Sequence, residues 1–311
     1  MTPELCRLSG LPRLGTQVAI NGVLLLDKPS GITSSTAVQQ VRRLFDRAKA
    51  GHTGTLDPLA TGLLPICLGE ATKFSHPILA SRKSYLATMR LGWRSSTGDA
   101  EGALSVAGEP GFSDAELAAA IQALTGEIEQ MPPMYSAVKV DGERLYKLAR
   151  KGVVAERKLR RVHIYHLEVV DRSGTDLSIS VTCSKGTYIR VLAEDLCERL
   201  GCGAYLTALR RVAIGSLQLA DAVGLAELES LLAEDRLALL KPVDLLLADL
   251  PKLTLGEADA KRLCNGLVLP DVALQPAAEI RVYSAEGRFL GLGEVHDDRS
   301  LRSKRLLSQA F

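Results

Sequence analysis

The 311-residue chain has no C-x-x-C pair. Its six cysteines (6, 67, 183, 197, 202 and 264) are scattered, and Cys197 and Cys202 lack a second ligand pair at metal spacing. That excludes a zinc module or disulfide framework and points to reduced core thiols in a cytoplasmic protein. No apolar run approaches the ~20 residues a membrane-spanning helix needs; "LALLKPVDLLLADL" is cut by Lys, Pro and Asp. The opening "MTPELCRLSGLPRLGTQ" has no long apolar stretch, so no signal peptide is expected. "GVLLLDKPSGITSS" invites a phosphate-loop reading, but its glycines and a Gly-Lys-Ser/Thr ending are missing. His163 and His166 resemble a ligand pair, yet three residues apart on a strand places them on opposite faces. No Ser-His-Asp order, nucleotide fingerprint or paired-carboxylate motif stands out; a triad assembled in space stays open. Formal net charge is only +2, so the total announces no nucleic-acid partner.

The distribution of charge says more. "KLARKGVVAERKLRR", residues 147–161, carries seven basic side chains against Glu156, and Arg299, Arg302, Lys304 and Arg305 add a second basic run. Acids gather around residues 222–249. Such clusters are either solvated faces or phosphate-binding ones. The length suggests one large domain with a small one, or two of middling size.

Val23–Leu26 reads as a buried strand, followed by a loop and a helix capped by Ser34 or Ser35, with Val38, Val41, Leu44 and Phe45 inward. "KSYLATMRLG" alternates as a strand, with Tyr85, Ala87, Met89 and Leu91 on one face. Residues 113–126 form a helix with a Ser113/Glu116 capping box, a Phe112/Leu117 staple and a Gly126 stop. Pro132-Pro133, an Asp141-Gly142 turn and the basic tail mark an irregular excursion. "RVHIYHLEVV" and "DLSISVTC" are strands, and "KGTYIRVLAEDLCERLG" is a turn entering a helix closed by Gly201. Leucine-rich acidic helices span 222–249. From Pro251 a short helix precedes strand-like "EIRVYS", "RFLGLGEV" and "KRLL", a compact β-rich module.

In "GHTGTLDPLATGLLP", Asp57 is the one carboxylate of a segment that reads as semi-buried. Asp-Pro often marks nothing more than a turn. Here Gly51, Gly54 and Gly62 allow a tight backbone path close to another chain or a ligand. A carboxylate on such a loop serves as nucleophile, base or electrostatic stabiliser.

"GHTGTLDPLATGLLPICLGEATKF" closely resembles the signature of the TruB family, the bacterial tRNA pseudouridine-55 synthases. "GVLLLDKPSGITS", "KSYLATMRLG", "PPMYSAVKVDGERLYKLARKG", "CSKGTYIRVLAEDL" and "LTALRRVAIG" agree in the same order, covering most of residues 20–215. The resemblance implies an α+β pseudouridine synthase fold with a central mixed, largely antiparallel sheet. It divides the chain into an extension (1–20), a catalytic domain (21–250) with a thumb-like insertion at about 132–161, and a small β-rich PUA-like RNA-binding domain (251–311).

The implied reaction cuts the N1–C1′ bond of a uridine in the T-loop of tRNA, turns the uracil and rejoins it through C5. Such an isomerisation needs no cofactor and no metal. Asp57 matches the family's essential aspartate; a carboxylate attacks C1′ or stabilises the charged sugar, as in glycosidases. Tyr85 matches a tyrosine that stacks on the base and is suggested to take the C2′ proton. Arg190 matches an arginine paired with the aspartate, keeping it ionised. Tyr188 and Leu209 match pocket residues. His52 matches a histidine that stacks in the RNA once the base is flipped out. Lys28 is either solvated or a phosphate contact; Arg150 and Lys151 lie in the insertion, whose phosphate contacts position RNA without reading sequence. The expected partner is the T-arm of tRNA, with no membrane, no guide RNA, no obligate protein partner and a monomeric state. The rivals are a non-catalytic RNA-binding or RNA-folding protein on the same scaffold, and a guide-RNA-dependent synthase.

Overall fold

The computed structural model describes residues 20–308 except 137 and 141. The expected N-terminal extension, apart from Ile20, and Asp141 of the expected turn lie outside the described residues. The main sheet is built from β1 (Gly22–Lys28), β2 (Ala50–His52), β3 (Thr61–Leu68), β4 (Lys83–Leu91), β5 (Gly126–Gln130), β6 (Arg160–Ser173), β7 (Asp176–Cys183), β8 (Ala204–Ile214) and β9 (Val223–Gly224). Their spatial order is β9-β1-β3-β8-β4-β7-β6-β5, with β2 also on β3. Pairing is antiparallel except β1 with β9 and β3 with β8, so the sheet is mixed and largely antiparallel.

Sequence pattern explains which strands sit where. β1 and β3 are near-continuous apolar runs, which suits strands covered on both faces. One face packs helix α1 (Ser34–Leu44), α2 (Asp114–Ala123) and α4 (Ile189–Arg199) through Val38, Val41, Leu117, Leu192 and Leu196. The short α3 (Leu145–Arg150) lies in the insertion between α2 and β6. The other face buries Val23, Leu25, Leu63, Phe74 and Leu246. β4 and β7 instead alternate, and their polar positions meet across the strands: the Ser84 and Thr182 hydroxyls are 2.8 Å apart, those of Thr88 and Ser178 2.9 Å. Cys67, Cys183, Cys197 and Cys202 are buried free thiols. Burial pushes Cys67 up to about 12 and Cys183 to about 11, so both stay protonated and inert.

Two local expectations change. Thr33, not Ser34 or Ser35, caps α1: its side chain accepts from the Thr36 N–H at 3.0 Å. Ser34 sits one position too far into the helix to cap it and is buried. In β6 a bulge between Ile164 and His166 shifts the alternation. Val162, Ile164 and then Leu167 are buried, so His163 and His166 fall on the same outer side rather than on opposite faces. His163 stacks against Tyr165, and His166 pairs with Glu168.

Beyond the short helices Leu225–Ser230 and Ala233–Ala238 comes a separate four-stranded sheet: β10 (Lys252–Leu255), β11 (Ala277–Ser284), β12 (Phe289–Val295) and β13 (Leu301–Leu306), in that spatial order. Helix α5 (Glu257–Cys264) packs on it through Ala260 and Leu263, closing a second core. This β-rich module docks on the main body. Phe74 meets Phe289 edge-on at 5.5 Å, and the Tyr283 hydroxyl donates to Asp244 at 2.7 Å.

Candidate active site

The loop joining β2 to β3 carries Asp57, and nearly every neighbour of that residue is tied down. Leu56 and Ala60 are buried pegs on either side. The Ser34 hydroxyl donates to the Leu56 carbonyl at 2.9 Å and accepts from its N–H at 2.8 Å. The Gly31 N–H and the Lys28 ammonium both donate to the Pro58 carbonyl. Lys28 also donates to Pro29 and Ile32, at 2.8 and 2.7 Å, which matches its three donors with three acceptors. It is 0% exposed, so it lies inside the loop's base rather than solvated, one of the two roles the sequence left open. Burial lowers its pKa to about 8, against the pull of Asp57 and Glu101.

Arg211, which the sequence reading passed over, holds the loop from the other side. Its guanidinium is 1% exposed and donates to Leu63 at 2.8 Å and to Gly54 at 3.0 Å. Gly62 is needed here: at φ 98° it lets β8 pass so close that a Cβ would collide with the Arg211 carbonyl. Gly54 is also left-handed, at φ 99°, whereas Gly51 has open space around it.

Arg190, in the first turn of α4, donates to the Asp57 carboxylate at 2.9 Å. The guanidinium also donates to Thr97 at 2.7 Å and Tyr135 at 2.8 Å, and lies 3.5 Å from Asp99. It is therefore fixed from four sides and 5% exposed. Asp99 is itself buried and accepts from Thr97 and from the Glu101 N–H. The Asp57 side chain keeps 40% of its surface open toward the cleft, although protein crowds it elsewhere. The net effect on its pKa is upward: burial outweighs Arg190, and the nearby Asp99 charge adds to the rise. Arg190 thus limits the rise without reversing it, because the cost of burial exceeds what its charge returns and Asp99 adds to that cost.

Asp57 and Arg190 border two adjoining cavities. The inner one, about 250 Å³, is walled by Tyr85, Leu209, Tyr188, Lys83 and Arg211. Five expected residues thus meet there: Asp57, Tyr85, Tyr188, Arg190 and Leu209. The outer one, about 390 Å³, contains His52, Glu101, Arg144, Tyr146 and Arg150. Burial pushes the Tyr85 phenol up, with Arg211 opposing. His52 is held toward its neutral form by burial and by the Arg211 charge. Tyr188 starts α4, its N–H donating to the Gln130 side chain at 3.0 Å. Arg150 lies over the Tyr146 ring, whereas Lys151 pairs with Glu143 at 2.8 Å on the surface. Asp99, Gln130, Lys83 and Arg211 gave no sequence signal of their own. Lys83 and Asp99 bond to residues close by in the chain and Gln130 and Arg211 to distant ones, but only the fold brings all four to the site. Among the described residues, no group of three His, Cys, Asp or Glu is arranged to hold a metal.

Comparison with known proteins fits this arrangement. Residues 42–189 match the TruB family pseudouridylate synthase N-terminal domain, 190–248 the tRNA pseudouridylate synthase B C-terminal domain, and 251–307 the pseudouridine synthase II TruB C-terminal region. A tRNA pseudouridine synthase B from Aromatoleum aromaticum is 53% identical over 93% of both chains. One from Dechloromonas aromatica is 47% identical over 94% of this chain and 97% of its own. A chain from a Cbf5–Nop10–Gar1 complex superposes with TM-score 0.70 at 25% identity, covering 92% of this chain and 83% of that one. A chain from an H/ACA ribonucleoprotein bound to a substrate RNA shares the fold at TM-score 0.71 and 22% identity, over 93% and 86%. The chain belongs to the TruB family of pseudouridine synthases.

Proposed function

We propose that this protein converts uridine to pseudouridine at position 55 in the T-loop of tRNA, without cofactor, as a stand-alone enzyme. The observation that carries the reading is a partly open carboxylate, Asp57, held by the buried guanidinium of Arg190 at the mouth of a ring-sized cavity. The curated relatives at about half identity are named for this activity.

A duplex or stacked loop hides C1′, so the target nucleotide must flip out before the carboxylate reaches it. The inner cavity takes the base between Tyr85 and Leu209. His52, neutral and in the outer cavity, has the chemistry to fill the gap left in the stack. Asp57 then attacks C1′, or stabilises the sugar's positive charge while C2′ loses a proton. The raised pKa of Tyr85 supports a protonated phenol, which stacks and donates better than it accepts a proton. The insertion at about 132–161, with Arg150 facing the outer cavity and Lys151 on the surface, supplies phosphate contacts, so affinity falls steeply with salt. Residues 21–250 act as the catalytic domain and 251–311 as a PUA-like RNA grip, in a cytoplasmic monomer.

The test is purified protein, unmodified tRNA and no other factor. Pseudouridine should form in the T-loop; no product rejects the stand-alone enzyme. Asp57→Asn should abolish turnover while tRNA binding stays close to wild type. Near wild-type turnover by that variant would remove Asp57 from the mechanism.

A further inference from the structure

Two buried lysines flank the Asp57 loop, and they differ in one respect. Lys28 has three carbonyl acceptors for three N–H groups and no exposed surface. Lys83, at the start of β4, has two: its ammonium donates to Leu79 and Ser81, each at 2.7 Å. It is 8% exposed, makes no ion pair with a carboxylate among the described residues, and lines the inner cavity with Tyr85 and Leu209. An ammonium has three donors, so one is left for whatever enters. Arg211, the other cation deep in this wall, is directed at the Leu63 and Gly54 carbonyls and at the Tyr85 hydroxyl. Burial and the positive charges of Arg211 and Lys185 lower the Lys83 pKa to about 8, against the pull of Cys183.

The cavity is also polarised. Asp57, paired with Arg190, is its one lining carboxylate among the described residues, whereas Lys83, Lys185 and Arg211 line it without an acid of their own; Asp99 and Glu101 belong to the outer cavity. A nucleotide whose sugar faces Asp57 points its base toward the cationic end. A cavity of about 250 Å³ holds a single flipped ring rather than the running phosphodiester chain.

We propose that Lys83 is a catalytic residue that donates a hydrogen bond to a carbonyl oxygen of the flipped uracil and stabilises the negative charge the base carries after glycosidic cleavage. When the C1′–N1 bond breaks, its electron pair leaves on N1 and spreads onto the ring carbonyl oxygens. The sugar's deficit is met by Asp57. Lys83 keeps its proton throughout, so the charge is stabilised while the ring turns; it is consumed when C5 bonds to C1′ and the Asp57 carboxylate is released, after which the C5 proton leaves to water and N1 takes one up, so that no net atom or charge is gained or lost. A fixed donor aimed at developing charge in a water-poor site is worth far more than the same donor in water. The inference rests on the isomerase reading above.

The experiment uses the full chain in single-turnover reactions with a T-arm RNA carrying uridine or 5-fluorouridine at the target. Fluorine withdraws electrons and makes the base a better leaving group, which lessens the need for Lys83. Lys83→Met should slow uridine conversion by ~10²-fold, leave RNA affinity unchanged, and slow loss of 5-fluorouridine far less. Lys83→Arg, which keeps a cation, should retain most of the rate. If the Met variant fails to fold by thermal unfolding, Lys83→Gln takes its place beside Lys83→Arg. Wild-type rates in the neutral variant, equal slowing with both nucleosides, or a loss confined to affinity would each overturn the proposal. No product from the wild-type protein on uridine RNA would instead defeat the isomerase reading itself.

Discussion

At the scale of single residues, the site turns on how one guanidinium serves two carboxylates. Asp57 and Asp99 both face Arg190, and the negative charge of Asp99 makes that of Asp57 harder to hold. Burial, with Asp99, raises the Asp57 pKa above 3.8, while Arg190 and Lys28 pull it down. Only the ionised form can attack or stabilise C1′. The acid limb of kcat/KM should therefore lie above the ordinary carboxylate range, with activity lost as pH falls through the raised value. Asp99→Asn removes the like charge and leaves Arg190 to Asp57, so the limb should move to lower pH. Profiles of both proteins check this; a limb that stays put or rises would show that Asp99 is not felt at Asp57. The same upward shift has a stability sign: the folded state holds the Asp57 proton longer, so this group favours folding below its unfolded pKa and loses that contribution as pH rises through the folded one.

At the scale of elements, capping and bulges decide what a pattern cannot. The Ser113/Glu116 capping box of α2 forms as its spacing predicts, with the Glu116 carboxylate accepting from the Ser113 N–H at 2.7 Å and Ser113 from the Glu116 N–H at 3.2 Å. Ser113→Ala should cost about 1 kcal/mol in denaturant unfolding and leave activity unchanged, since α2 touches neither cavity. A larger loss, or a fall in turnover, would mean that α2 supports the site. Helix α1 shows the opposite case. Thr33, Ser34 and Ser35 all have cap chemistry, and sequence alone does not choose among them. The choice falls to Thr33 because Ser34 is held by both backbone groups of Leu56, the residue before Asp57. In this way the first turn of a helix sets the height of the catalytic loop.

At the scale of the whole molecule, the β-rich C-terminal module is packed onto the main body rather than tethered to it. Phe289 and Leu292 join the cluster around Phe74, and the Ser308 N–H donates to Glu70 at 2.7 Å. Phe289→Ala should cost ~1–3 kcal/mol through lost ring contact and apolar burial. It should also raise the rate of limited proteolysis between Leu247 and Lys252. An unchanged cleavage rate would show that the remaining contacts fix the module without Phe289. Its tRNA affinity should fall more than its single-turnover rate, because the module lies away from Asp57.

The sequence by itself determined strands β1, β4, β6, β7 and β11 to β13, helices α1, α2, α4 and α5, the break near Pro251 and, through a long uninterrupted motif, the loop that carries Asp57. These follow from local periodicity, turn chemistry and a pattern that survives without knowledge of contacts. The tertiary structure alone decided the rest. It showed that Lys28 is a buried clamp, that Arg211 and Ser34 fix the loop, and that Arg190 is divided between two carboxylates. It also showed that a bulge turns His163 and His166 to one side. Each of these depends on partners far apart in the chain, brought within hydrogen-bond reach by strand order and register. A burial or a shared charge belongs to an environment, and only the folded chain supplies one.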